Sequence, residues 1–166
     1  MKLVVAEKPS VMRDLAAVLG ATQMNADGAL CGNGYMVASA RGHLLRNKPP
    51  DEYEEYKKWD LSVLPIIPDF EFVPIENNID VLRSLAKLMN SSEIDEIIEA
   101  TDAGREGECI FRYIYNYVGC KKPVSRLWIS SMTEASIRAG FDNLKPASEY
   151  DNLYSAGYTR SKIDWL

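Results

Sequence analysis

The stretch Glu96-Ile97-Ile98-Glu99-Ala100-Thr101-Asp102-Ala103-Gly104-Arg105-Glu106-Gly107-Glu108 decides the fold. Residues 96–101 read as a short buried strand that stops at Asp102, and Glu106–Val118 reads as a helix. The same unit opens the chain. Lys2–Ala6 is a strand, Glu7-Lys8-Pro9-Ser10 is a turn, and Ser10 is placed to cap the helix that follows. That helix, Val11–Leu19, carries Val11, Leu15, Val18 and Leu19 at helical spacing, and Gly20 supplies its stop. Asn77–Met89 is a helix with Ile79, Leu82, Leu85 and Leu88 on its face, Ser125–Ile129 a third core strand, and Thr133–Phe141 a helix with Thr133 near its cap. Strands alternating with helices predict an α/β fold with a mostly parallel central sheet flanked by helices.

Between these units the reading is less regular. Leu30–Cys31 and Tyr35–Ala40 flank Gly32-Asn33-Gly34 as a hairpin. Residues 46–69 are rich in Pro, Tyr and charge and read as an irregular excursion, with one short helix near Glu52–Trp59. Phe70–Ile75 alternates as a strand. After the break Lys145-Pro146-Ala147-Ser148, the segment Glu149–Leu166 has helical spacing at Leu153, Ala156 and Ile163 and no stop signal. This pattern predicts a main domain over 1–147 and, over 148–166, the truncated start of a following helical domain.

Composition narrows the function. The 166 residues are 46% hydrophobic and 26% charged, which excludes a disordered chain. Apolar runs such as Leu3–Ala6 fall far short of the ~20 residues a membrane span needs, and Glu7 and Lys8 interrupt the N-terminus too early for a signal peptide. Three scattered cysteines, Cys31, Cys109 and Cys120, with the single histidine His43, are too few soft ligands for structural zinc and suit a reducing cytoplasm. A net charge of -5 argues against coating nucleic acid by bulk charge, but not against a local acidic site that holds a divalent cation beside phosphate.

In a parallel sheet, functional groups collect beyond the carboxyl ends of strands. The first strand delivers Glu7 and Lys8; the second delivers Asp102, then Arg105, Glu106 and Glu108. If the two strands are neighbours, Glu7, Asp102 and Glu106 converge. Clustered carboxylates repel unless a cation sits among them, and hard oxygen donors select Mg²⁺, which often joins phosphate. Lys8 and Arg105 are placed to contact phosphate oxygens, Arg105 as a fork. Each residue also has a bland reading. Glu7 is a solvated turn residue, Asp102 a helix cap, Glu106 and Glu108 complement the helix dipole, and Lys8 and Arg105 are surface ion-pair partners. Two strand ends charged alike favour the functional reading of the set. His43, beside Gly42, is a phosphate or DNA contact or a hydrogen-bonded structural residue. No tyrosine stands in a context that marks a nucleophile.

The stretches Val4–Val11, Gly42-His43-Leu44, Leu64-Pro65-Ile66-Ile67-Pro68, Ala100–Glu108 and Arg126–Ser131 together resemble, in collinear order, the bacterial topoisomerase III branch of the type IA DNA topoisomerases, at its N-terminal TOPRIM domain. The tail Tyr154–Leu166, with Arg160, is similar to the start of that family's next domain. The resemblance implies an enzyme that cuts one DNA strand through a tyrosine, passes another strand and reseals, without a nucleotide cofactor or a membrane. Its partners would be single-stranded DNA and the enzyme's remaining domains, and it would work in the cytoplasm on the nucleoid. Glu7 matches the catalytic glutamate, which exchanges a proton with the 3′ oxygen or ligates metal, and Lys8 matches the lysine that stabilises the scissile phosphate. Asp102 and Glu106 match two acids of the Asp-x-Asp-x-Glu Mg²⁺ motif, and Gly104 replaces the middle one. DNA contacts fall to Lys8, His43, Arg105 and Arg160. The nucleophilic tyrosine of the family lies beyond residue 166. A TOPRIM nuclease or primase-like enzyme, using metal-activated water, and a non-catalytic interaction module are the alternatives.

Overall fold

The computed structural model describes residues 1–58, 60–64 and 68–165. Trp59, the centre of the 64–68 motif and Leu166 lie outside them. At the middle of the sheet is β1 (Lys2–Ala6), paired in parallel with β4 (Tyr35–Ser39) on one side and β7 (Glu96–Ala100) on the other. β8 (Val124–Arg126) continues the parallel order beyond β7. Short antiparallel strands close both edges: β3 (Leu30–Gly32) and β2 (Gln23–Met24) beside β4, and β9 (Lys145–Pro146) beside β8. The order is β2-β3-β4-β1-β7-β8-β9. The expected hairpin at Gly32-Asn33-Gly34 is present. A separate two-stranded ribbon joins β5 (Leu45–Asn47) to β6 (Phe72–Pro74).

Strand alternation sorts the core onto two faces. Leu3, Val5 and Ile97 face α2 (Ile79–Met89) and α3 (Arg105–Tyr117), packing on Leu82, Leu85, Ile110 and Phe111. Val4, Ala6 and Ile98 face α1 (Pro9–Leu19) and α4 (Glu134–Asp142), packing on Met12, Leu15 and Ile137. Each fully buried leucine, such as Leu15 or Leu85, contributes about 1.5–3 kcal/mol over an exposed one. Thr133 caps α4 as expected, accepting from the Ser136 N–H, and Gly20, at φ 73°, ends α1.

Three local readings change. α1 begins at Pro9, with Lys8 as its cap residue and no side-chain cap bond, so Ser10 lies inside the helix. Proline, with its preset φ and no N–H to satisfy, takes the first helical position more readily than an interior one. The helix expected near Glu52–Trp59 is two separate 3-10 turns, Pro50–Glu52 and Glu54–Tyr56. In α5 (Asp151–Trp165) the face that packs is not Leu153, Ala156 and Ile163. Ala156 and Ile163 are exposed, and Tyr154, Tyr158 and Ser161 turn toward α3 instead. Tyr113 of α3 meets Phe72, Tyr154 and Tyr158 in one aromatic cluster, so ring area outweighs aliphatic spacing there.

Candidate functional site

Because β1 and β7 run side by side with Ala6 opposite Ala100, the residues just past both strand ends are neighbours. The Asp102 backbone N–H donates to Glu7 Oε1 at 3.2 Å. Glu7 is only 8% exposed, whereas Asp102 opens to solvent. Burial pushes the Glu7 carboxyl above its usual range, and the charge of Asp102 pushes the same way; the Asp102 N–H and the Lys8 ammonium pull it back in part. Two acids therefore share one patch, and a proton or a cation relieves them. The Gly42 N–H donates to the Glu7 carbonyl at 3.0 Å, tying the loop after β4 to the same place.

Glu106, at the first turn of α3, is not gathered into this pair. Its Oε1 lies 3.2 Å from His43 Nε2, and its side chain is 79% exposed. Among the described residues, no three His, Cys, Asp or Glu side chains stand close enough together to hold a metal ion. The basic residues divide in the same way. Lys8 stands beside Glu7. His43, Arg105 and Arg160 line a cavity of about 510 Å³ between the N-terminus of α3, the β5–β6 ribbon and α5. Arg46, which the sequence reading passed over, joins them there, and Phe72 and Tyr113 form an apolar wall.

Beneath the acid pair lies a buried ionic network. Arg126, at 0% exposure, donates from Nη1 to the Thr101 carbonyl (2.6 Å) and from Nη2 to the Asp102 carbonyl (2.8 Å). Its Nε lies 2.7 Å from Glu108 Oε1 and 3.8 Å from Glu99 Oε1. Arg112 donates to Glu108 Oε2 at 3.1 Å, to Asp151 and to the Ala147 carbonyl. Neither Glu99 oxygen has a hydrogen-bond partner among the described residues. Burial raises the Glu99 carboxyl to about 9, opposed by Arg126 and reinforced by Glu108. The dipole reading of Glu108 is thus incomplete: it is a fully buried partner of two arginines. The available signal was Glu99 and Arg126 interrupting strands otherwise built for burial.

The helix that carries Arg105 and Glu106 passes very close to the strand end. A Cβ at Gly107 would lie 1.9 Å from the Asp102 carbonyl oxygen, so the approach requires glycine. Thr101 Oγ1 donates to the Gly107 carbonyl at 2.8 Å and fastens the contact.

Known proteins resemble this chain over most of its length. The Toprim domain model matches residues 2–132. The chain is 44% identical to DNA topoisomerase 3 of Shouchella clausii over 166 residues, covering 99% of this chain and 23% of that protein. It is 45% identical to DNA topoisomerase 3 of Staphylococcus epidermidis over 166 residues, covering 99% of this chain and 23% of that one. Among solved structures, full-length topoisomerase I from Thermotoga maritima is similar with a TM-score of 0.54 and 25% identity, over 87% of this chain and 21% of that chain. The chain thus spans about a quarter of the length of these relatives. The matched region contains both acid-bearing strand ends and the parallel strands that bring them together, and the chain belongs to the Toprim domain family.

Proposed function

We propose that this chain supplies the acidic half of a type IA DNA topoisomerase active site, the nucleophilic tyrosine coming from another part of a longer protein. The observation that carries the reading is the 3.2 Å hydrogen bond from the Asp102 N–H to the Glu7 carboxylate, which makes the two strand-end acids one site. Glu7, buried and held above the ordinary carboxyl range, is suited to give a proton to a leaving 3′ oxygen and to take it back on religation. Lys8 beside it offers positive charge to the scissile phosphate. His43, Arg105 and Arg160, with Arg46, grip the sugar-phosphate backbone of a single strand in the adjoining cavity, and the Phe72–Tyr113 wall receives a base.

Glu7 and Asp102 are hard oxygen donors and fit Mg²⁺, which takes few protein ligands and keeps waters. They would hold it, with Glu106 as the third candidate ligand, and when bound it would offset negative charge on the phosphate. The reading places the work in the cytoplasm on the nucleoid. No helix among the described residues is long and apolar enough to cross a membrane.

The test is plasmid relaxation by the full-length enzyme carrying Glu7→Ala. Relaxation should fall at least a hundredfold while the circular dichroism spectrum is kept, in line with the ~10²–10⁴-fold contribution of a general acid. Relaxation at the normal rate refutes the role. Linear or nicked products released without protein attached point to hydrolysis in place of transesterification.

A further inference from the structure

The Asp102 main chain is held from below, and the holder is itself held. Arg126 spans the gap between β8 and the end of β7, and its two terminal nitrogens bond consecutive carbonyls, Thr101 and Asp102. A guanidinium has rotational freedom about its stem, so a fork aimed at two carbonyls needs a fixed third point. Glu108 Oε1, 2.7 Å from Arg126 Nε, is that point: an ion pair that holds the guanidinium in place by charge, without an aligned hydrogen bond. Glu108 is fixed in turn, because Arg112 takes its other oxygen at 3.1 Å. Glu99 and Glu108 are each 0% exposed, so no solvent competes for these positions.

We propose that Glu108 is a positioning residue for the acid pair, acting through Arg126 on the Thr101–Asp102 strand end. Glu108 touches neither of the paired acids. It holds the guanidinium in place, the guanidinium holds the Asp102 backbone, and that backbone carries both the Asp102 carboxylate and the N–H bound to Glu7. The proposal rests on the reading of Glu7 and Asp102 as the functional pair, and extends it to what orients them.

The network contains its own charge reserve, which makes the test clean. In Glu108→Gln, Glu99 lies 3.8 Å from Arg126 Nε and, no longer facing the Glu108 charge that helps keep it protonated, can release its proton and take over the negative charge, so the arginine is not left unpaired. What changes is where the charge sits. Arg126→Lys keeps the charge but replaces a planar fork by a single ammonium point. Both variants of this chain would be followed by amide hydrogen exchange in NMR and by Mn²⁺ binding in EPR, with Glu134→Gln, in a surface pair with Arg138, as control. The expected result is exchange at the Asp102 amide at least tenfold faster, with Ile98 unchanged, and Mn²⁺ affinity about tenfold weaker, the low end for loss of a supporting contact. An Asp102 amide and a Mn²⁺ affinity unchanged in folded variants overturn the proposal. If Arg126→Lys does not fold, Glu108→Gln decides alone. If the unaltered chain binds no Mn²⁺, the metal reading of the pair fails, and the Asp102 amide still decides the positioning.

Discussion

Replacing Glu99 by glutamine should make this protein more stable, and only above acidic pH. Glu99 is fully buried, and burial raises its carboxyl from 4.5 to about 9. The groups facing it are Glu108 and Arg112 of α3 and Arg126 of β8. The folded chain therefore keeps a proton that the unfolded chain releases above about pH 4.5. Stability is lost as pH rises through that window and levels off above about 9. At pH 7 the gap between the unfolded value and the working pH opposes folding by about 3 kcal/mol, at ~1.4 kcal/mol per pH unit. Glutamine keeps the shape and offers an N–H₂ where the acid offers O–H, but has nothing to ionise. Glu99→Gln should match the parent near pH 4 and exceed it by about 3 kcal/mol at pH 7, or roughly 10 °C in Tm. Urea unfolding of both proteins at a series of pH values measures this. Stability curves that stay parallel from pH 5 to 9 would show that Glu99 is already ionised in the fold and refute the reasoning.

Two further outcomes follow from the close packing and the basic cavity. Gly107→Ala puts a methyl 1.9 Å from the Asp102 carbonyl oxygen, so α3 and the strand end must part; a loss of about 1–3 kcal/mol in thermal unfolding is expected, and an unchanged Tm contradicts it. Arg105→Ala with Arg160→Ala should weaken binding of a fluorescent single-stranded oligonucleotide and flatten its salt dependence by about 0.7 per phosphate contact removed, read by anisotropy; an unchanged slope places the strand elsewhere.

The parts of the fold legible in the sequence were those with long apolar periods. Leu3–Ala6 is a continuous apolar run and Ile97–Ala100 is one broken only by Glu99, because parallel strands are buried on both faces, and their trailing acids pointed to the candidate site. β2, β5 and β9 are two or three residues long and have no period to read; they exist because a neighbouring strand offers an edge. Glu7 and Asp102 were legible as acids at two strand ends; that the two strands are neighbours was only a condition in the sequence reading, and the β1–β7 pairing meets it. Glu106 departed because its side chain found His43, a partner 63 positions away in the chain. Arg126 and Arg112 look like ordinary charged residues until distant backbone carbonyls claim them, and Glu108, read as complementing a helix dipole, is instead held by both arginines.

The central place of β1 has a consequence for how the protein fails. A strand with parallel neighbours on both edges and apolar layers on both faces opens only when the sheet as a whole comes apart, so its amides belong to the last cooperative unit to melt. Glu7 is the residue directly after that strand, and its backbone carbonyl accepts from the Gly42 N–H. The Glu7 side of the acid pair is thus anchored in the most durable part of the sheet, while the exposed Asp102 side can still open locally.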